Sequence, residues 1–409
     1  MKLFNKDSAL TGTMITAGTS IGAGMFSIPI VCSGMWFELS IIALLFIWFI
    51  NYLNALYLLE VNLGFERGDS FDKIVKTLLG DFWNPIFGIG FAFLMAIVLY
   101  AYFSAFGNMT STILGLPTSG ASNWLSGSIS LIFGLGLAII VWWSTTLVGK
   151  ISSILIIGMT ITFFLFIGGF SFQVEINKLL DTGGSGYFKY SWASLSYLLT
   201  AFAFSTVVPS LYKHYGNKPK VIKKGMLIGS LLAFVVYLLF IFVIFGNISR
   251  DEFVPINQSG GNISDLVSAL QSGSENQWVN QAIALFSNFA IISSFLGIGL
   301  CLFDYVADKF ELQDNRKGRF YSALITFLPS GVCSFFFPHG FITAIGYAGL
   351  VAALLFIAYF FIARKFRISQ RATSYRVPGG NTLLYFFLLA NVLVCVCQLL
   401  SVLGYLPVW

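Results

Sequence analysis

Eleven runs of about twenty predominantly apolar residues, parted by short polar connections, constrain this chain more than any other feature. A helix rises about 1.5 Å per residue, so a run of about 20 residues spans the roughly 30 Å of hydrocarbon in a bilayer. The runs are approximately 10–32, 37–61, 84–107, 127–147, 151–170, 191–212, 225–246, 278–303, 320–337, 341–363 and 382–404. Only 10% of the residues are charged, against about a quarter in soluble domains. The chain therefore reads as an all-α polytopic membrane protein, a single transmembrane domain over 1–409. The first run has no small-residue cleavage site and leads into further runs, so it reads as a span and not as a cleaved leader.

The net charge of +6 reflects topology, not nucleic acid. With the N-terminus in the cytoplasm, all but Lys178, Lys189 and Arg250 of the 23 Lys and Arg fall on the cytoplasmic side. That asymmetry is the positive-inside rule, and eleven crossings put the C-terminus on the opposite face. The five cysteines (Cys32, Cys301, Cys333, Cys395 and Cys397) lie in or at the end of apolar runs. They form no CxxC pair and no metal spacing, so neither a disulfide framework nor a zinc site is expected. Two connections read as short amphipathic helices: 70–79, stopped by Gly80, and the segment after Asn262 with Ile263, Leu266, Val267 and Leu270 on one face. Asn262 is placed to cap the latter.

Two runs cannot be continuous helices. The first contains Gly18, Thr19, Gly22, Ala23, Gly24 and Met25, followed by Pro29. Freed backbone groups are tolerated at membrane depth only where they face protein or a hydrated cavity. Close packing of small residues is the competing explanation. The sixth run carries Phe202, Ala203, Phe204, Ser205 and Thr206 before Pro209, which removes a ladder hydrogen bond. Five spans separate the start of the first broken run from the start of the second, and an odd number of crossings makes the second half enter from the opposite face. Runs 1–5 (10–170) and 6–10 (191–363) then form a 5+5 inverted repeat with a broken helix leading each half. Run 11 (382–404) is an addition.

Ionisable groups are nearly absent from the spans. Glu60 and Asp304 lie near cytoplasmic ends, where each serves as a gate or relay or pairs with a connection Lys or Arg. His214 and His339 fall in connections. No HExxH, paired midplane carboxylates or nucleotide loop occurs, so an enzyme is disfavoured and no cofactor is implied. A midplane without charge suits a zwitterion better than an ion. Its carboxylate fits the free N–H groups and positive helix end around Gly22–Met25, and its ammonium fits carbonyls around Ala203–Thr206. Candidate pocket walls are Tyr100, Tyr102, Phe202, Phe204 and Tyr347, each equally explained by core packing. In run 8, Asn288 precedes the adjacent hydroxyls of Ser293 and Ser294. With Thr19 and carbonyls of the first break, these hydroxyls are placed to hold a small cation such as Na+.

With these residues in hand, the chain resembles the bacterial aromatic amino acid permeases. The tryptophan permeases of that family match best and the tyrosine permeases next. The matching stretches include Gly22-Ala23-Gly24-Met25 with Pro29, Ser70-Phe71-Asp72, Val208-Pro209-Ser210, Ser293-Ser294-Phe295-Leu296-Gly297 and Ile345-Gly346-Tyr347-Ala348-Gly349. The resemblance implies the LeuT-type fold with broken helices 1 and 6. It also implies residence in the bacterial inner membrane and proton-driven import of tryptophan, tyrosine or phenylalanine. Two positions depart from the family. Ser205 stands where a histidine is usual, and Met159 where a lysine is common. Losing both titratable groups weakens the expectation of H+ coupling and leaves room for Na+ at Ser293 and Ser294. The expected function is ion-coupled import of an aromatic amino acid, with membrane lipid as surroundings and no obligate protein partner. The alternatives are a sodium-coupled carrier of broader neutral amino acids, or a ligand-binding sensor or pore.

Overall fold

The computed structural model describes residues 8–69, 71–116, 123–181, 186–407 and 409. Lys2, Lys6 and Ser70 lie outside the described residues. Each expected apolar run is occupied by helix. In order these are Leu10–Ser20 with Ala23–Cys32, Trp36–Asn62, Trp83–Ile113, Asn123–Trp143, Thr145–Ser171, Ser191–Tyr215 with its interruption, Pro219–Asn247, Gln277–Lys309, Arg316–Phe336, Phe341–Ile368 and Gly380–Val402. They are called spans 1 to 11 below.

Among the described residues, nine helices are long and apolar enough to cross a bilayer, and the bent pair of span 1 makes a tenth. The chain is a multi-pass membrane protein. Span 9 opens on Arg316, Lys317 and Arg319 and is not apolar enough to join that set. Several starts are set by side chains that accept a free first-turn N–H: Ser144 from Leu147 at 3.3 Å, Asn276 from Trp278 at 3.1 Å and Asn315 from Gly318 at 2.8 Å.

The two expected amphipathic helices are present. Phe71–Leu79 buries Ile74 and Val75, and Gly80 follows in the left-handed region at φ +95°. Ile263–Ser272 buries Ile263, Leu266, Val267 and Leu270. Asn262 makes no capping bond, contrary to expectation. Its amide is occupied elsewhere, as described below. His214 lies in the last turn of Val208–Tyr215 and not in a connection.

The core is built so that span 1 sits between spans 7 and 8. Gly225 and Gly229 of span 7 let the backbone of span 1 approach: a Cβ on Gly229 would stand 2.6 Å from the Thr13 carbonyl oxygen. This is the small-residue packing of helices in lipid. Beyond the break, Phe26 packs on Phe240 and Phe286 with ring centroids 5.3 and 5.5 Å apart, and Phe166 meets Phe286 at 4.9 Å. These rings tie spans 1, 5, 7 and 8 together and fix where the break points.

Candidate functional site

Both breaks exist, and neither proline makes one. Span 1 stops at Ser20, runs extended through Ile21 (φ −77°, ψ 107°) and Gly22 (φ −169°, ψ −163°), then resumes with a 49° bend. Pro29 lies inside the second piece. Span 6 stops at Ala201, breaks at Phe202 and Ala203, and resumes as a short 3-10 turn, Phe204–Val207. Pro209 falls in the first turn of the following helix, where its missing N–H costs nothing. The kink expected there is six residues earlier.

A cavity of about 460 Å³ lies between the two breaks, within the ordinary range for small-molecule sites. Its walls are Gly18–Gly22 and Gly24 of span 1, Leu94, Met95, Val98 and Tyr102 of span 3, and Ser152 and Ile156 of span 5. Leu199–Ala201, Ala203, Ser205–Val207 and Ser210 of span 6, Ser293, Ser294, Gly297, Ile298 and Cys301 of span 8, and Ala352 and Phe356 of span 10 complete them. No carboxylate, ammonium, guanidinium or imidazole group is among them. From the breaks, the cavity follows spans 3, 5, 8 and 10 toward Trp83, Thr145, Lys309 and Ile368. Lys and Arg gather at those ends: Lys150 and Lys309 within the helices themselves, and Arg67, Lys73, Lys76, Arg371 and Arg376 in the segments beside Trp83 and Ile368. Thr19, Ala203, Thr206, Ser210 and Cys301 are exposed within it.

The expected site residues divide accordingly. Gly18, Thr19, Gly22, Gly24, Tyr102, Ala203, Ser205, Ser293 and Ser294 line the cavity. Ala23, Met25, Phe202 and Phe204 are buried behind it, because alternate residues at a turn face opposite ways. Met159 is packed within span 5 and reaches no cavity wall. Tyr347 is 38% exposed on span 10, outside the cavity. Tyr100 points away from it and donates to the Phe337 carbonyl at 2.8 Å. The expected aromatic walls therefore reduce to Tyr102, joined by Phe356 from span 10, which the sequence did not single out.

The first break is held by Ser294, whose Oγ accepts from the Ala23 N–H at 3.0 Å. A Cβ on Gly22 would stand 2.5 Å from the same Oγ, whereas one on Gly18 meets nothing within 4 Å. Ser293 bonds back to the Ala290 carbonyl at 3.2 Å, Thr19 to Ile15 at 2.8 Å, and Asn288 to Ala284 at 2.8 Å. Such bonds are the ordinary resting state of hydroxyls in apolar helices. A further residue joins the breaks. Tyr237 of span 7 is fully buried, and its hydroxyl lies 2.6 Å from the carbonyl oxygens of both Ser20 and Ala201.

On the far side of the breaks the structure is closed by polar bonds. Ser104 donates to the Pro338 carbonyl at 2.5 Å, and Asn108 donates to the same carbonyl at 2.7 Å and to Asn262 Oδ1 at 3.2 Å. Asn262 Nδ2 lies 3.4 Å from His339 Nδ1. Burial lowers the His339 pKa below its ordinary value, so the ring is neutral there. Of the two expected gate or relay carboxylates, Glu60 is fully buried and held by the fork of Arg367, at 2.8 and 2.7 Å. Asp304 is exposed on span 8, and Arg319 pairs with Asp314 instead of with it.

The model of the tryptophan/tyrosine permease family matches residues 5–398. The chain belongs to the tryptophan/tyrosine permease family. It is a family of transport proteins and not of enzymes. This permease is 40% identical over 405 residues to a tryptophan-specific transport protein of Haemophilus influenzae, covering 97% of each chain. It is 37% identical over 408 residues to a low affinity tryptophan permease of Escherichia coli, covering 98% of each. A tyrosine permease of Enterobacter agglomerans is 36% identical over 407 residues, covering 97% of each.

Proposed function

We propose that this permease imports an aromatic amino acid, tryptophan foremost, across the bacterial inner membrane by ion-coupled alternating access. The observation that carries the reading is the cavity without charged side chains between two helix breaks, in a chain whose relatives are named for tryptophan and tyrosine. A zwitterion brings both charges itself. Its carboxylate suits the N–H groups at Gly22 and Gly24, the Ala23 N–H being taken by Ser294. Its ammonium suits the carbonyl end of span 6 near Ala201–Ala203. Its ring lies toward Met95, Tyr102 and Phe356.

The architecture behind this reading is the LeuT-type 5+5 inverted repeat, 10–170 and 191–363, with span 11 appended. The N-terminus is cytoplasmic and the C-terminus periplasmic. The cavity then faces the cytoplasm, and the Asn108, Asn262 and His339 bonds close the periplasmic side. Gradient-driven uptake of labelled tryptophan into liposomes tests the function, with tyrosine and phenylalanine as competitors. No saturable uptake and no exchange of labelled for unlabelled substrate would refute a carrier. Cys301 gives a second check. In a background with Cys333→Ser, maleimide labelling of Cys301 from the cytoplasmic side is expected to be slowed by tryptophan; labelling indifferent to tryptophan would place substrate elsewhere.

Sodium as the coupling ion is the second reading. It is favoured by a cavity whose walls offer no group that titrates near neutral pH, with Ser205 and Met159 at the two departures from the family. Ser294→Ala is expected to raise the sodium concentration for half-maximal uptake about tenfold, the loss of one oxygen ligand being of the order of 1.4 kcal/mol. Uptake that needs no sodium, or an unchanged sodium dependence in this variant, counts against the ion site.

A further inference from the structure

We propose that the pocket between the end of span 10 and the start of span 11 binds the phosphate headgroup of an anionic phospholipid. The pocket has a volume of about 470 Å³, and its walls include Arg364, Arg367, Arg376, Gly380, Asn381 and Tyr385. No carboxylate lines it. Arg367 is already neutralised, since its fork is filled by Glu60. Arg364 and Arg376 are exposed and form no ion pair among the described residues, so both positive charges remain for a ligand. The backbone adds to them. Gly379 and Gly380 enter span 11 in the left-handed region, at φ +89° and +60°. The first-turn N–H groups of Gly380 and Asn381 at the pocket wall have no acceptor within the helix. Two guanidinium groups and free N–H groups around one space are the chemistry of a phosphate site.

The same chemistry would take a soluble phosphate ester, but the surroundings select a lipid. Tyr385, Leu389, Val392 and Val396 are all exposed at helical spacing along span 11, so an apolar row leads from the pocket into the membrane. An acyl chain covers that row and a soluble ester does not. Basic pockets of this kind, at the water boundary between spans, are a recognised form of headgroup recognition.

The test titrates a fluorescent phosphatidylglycerol into the purified full-length permease in neutral detergent. Arg364→Gln with Arg376→Gln is expected to weaken binding about 30-fold, each guanidinium near the surface contributing about fivefold. Lys220→Gln with Lys224→Gln, the same charge change at the exposed start of span 7, is expected to leave binding unchanged. Thermal midpoint and tryptophan uptake in both double variants report that they are folded. Equal weakening in both would show general surface charge and overturn the site, as would undiminished binding in the arginine variant. Competition by sn-glycerol phosphate at the concentration of the lipid would overturn the choice of a lipid.

Discussion

Tyr237→Phe is expected to lower tryptophan uptake about 10- to 100-fold while the protein stays folded. The ring of Tyr237 packs edge-on against Phe202 at 4.8 Å, and phenylalanine keeps that contact. What is lost is one oxygen, 2.6 Å from the last carbonyl of each leading half-helix, Ser20 and Ala201. Both carbonyls lie at the negative ends of their helices, where unmet acceptors face each other across the break. A buried acceptor left without its donor costs about 1–3 kcal/mol. A single hydroxyl proton serves the two carbonyls by turns, so the cost is nearer that of one acceptor than of two. If it falls on the conformation that holds substrate, it becomes a factor of about 10 to 100 in uptake. The measurement is initial uptake at fixed gradient beside the thermal midpoint in detergent. Wild-type uptake in this variant would mean that the hydroxyl merely fills space.

How far such a residue was visible in the sequence depends on what a membrane span reveals. The runs and their charge asymmetry were legible because length and the absence of charge are properties of whole segments. The breaks were legible as regions, since the glycines around Gly22 and the proline that closes the stretch after Thr206 each work against an uninterrupted helix. Their positions within those regions were not. Pro209 looked like the disturbance in span 6, yet a proline in a first turn is compatible with the helix it begins. Facing was harder still. In a span apolar on every side there is no 3.6-residue rhythm to show which side meets the cavity. Tyr100 and Tyr102 were both plausible walls, but two residues on a helix differ by roughly 200°. Only Tyr102 faces the cavity; Tyr100 belongs to the closed side. Tyr237 left a faint signal, a phenolic oxygen in the middle of a charge-free run, where a buried O–H must find an acceptor. Ser294 was found for its hydroxyl, but its bond to the Ala23 N–H joins residues 271 apart and needs the fold.

Glu60→Gln is expected to cost about 3–5 kcal/mol of stability, because breaking a buried ion pair leaves the other charge unmet. Glu60 is fully buried, and its carboxylate takes three bonds: Arg367 Nε at 2.8 Å, Arg367 Nη2 at 2.7 Å and the Val377 N–H at 2.8 Å. Arg367 in turn donates to the Gly380 carbonyl at 2.8 Å. The cluster therefore clamps the end of span 2 to the end of span 10 and to the connection leading into span 11. Glutamine keeps the shape, loses the charge and turns one acceptor into a donor facing a guanidinium. A structural clamp and a proton relay then predict different outcomes. For the clamp, the thermal midpoint falls steeply, and Glu60→Leu with Arg367→Met recovers much of it, since an apolar pair of similar volume replaces both charges. For a relay, Glu60→Gln would stay as stable as the parent and lose the pH dependence of uptake. The bidentate geometry, with every carboxylate oxygen bonded and Arg367 almost covered, favours the clamp. A stable but inactive Glu60→Gln would overturn it and make Glu60 part of the transport path.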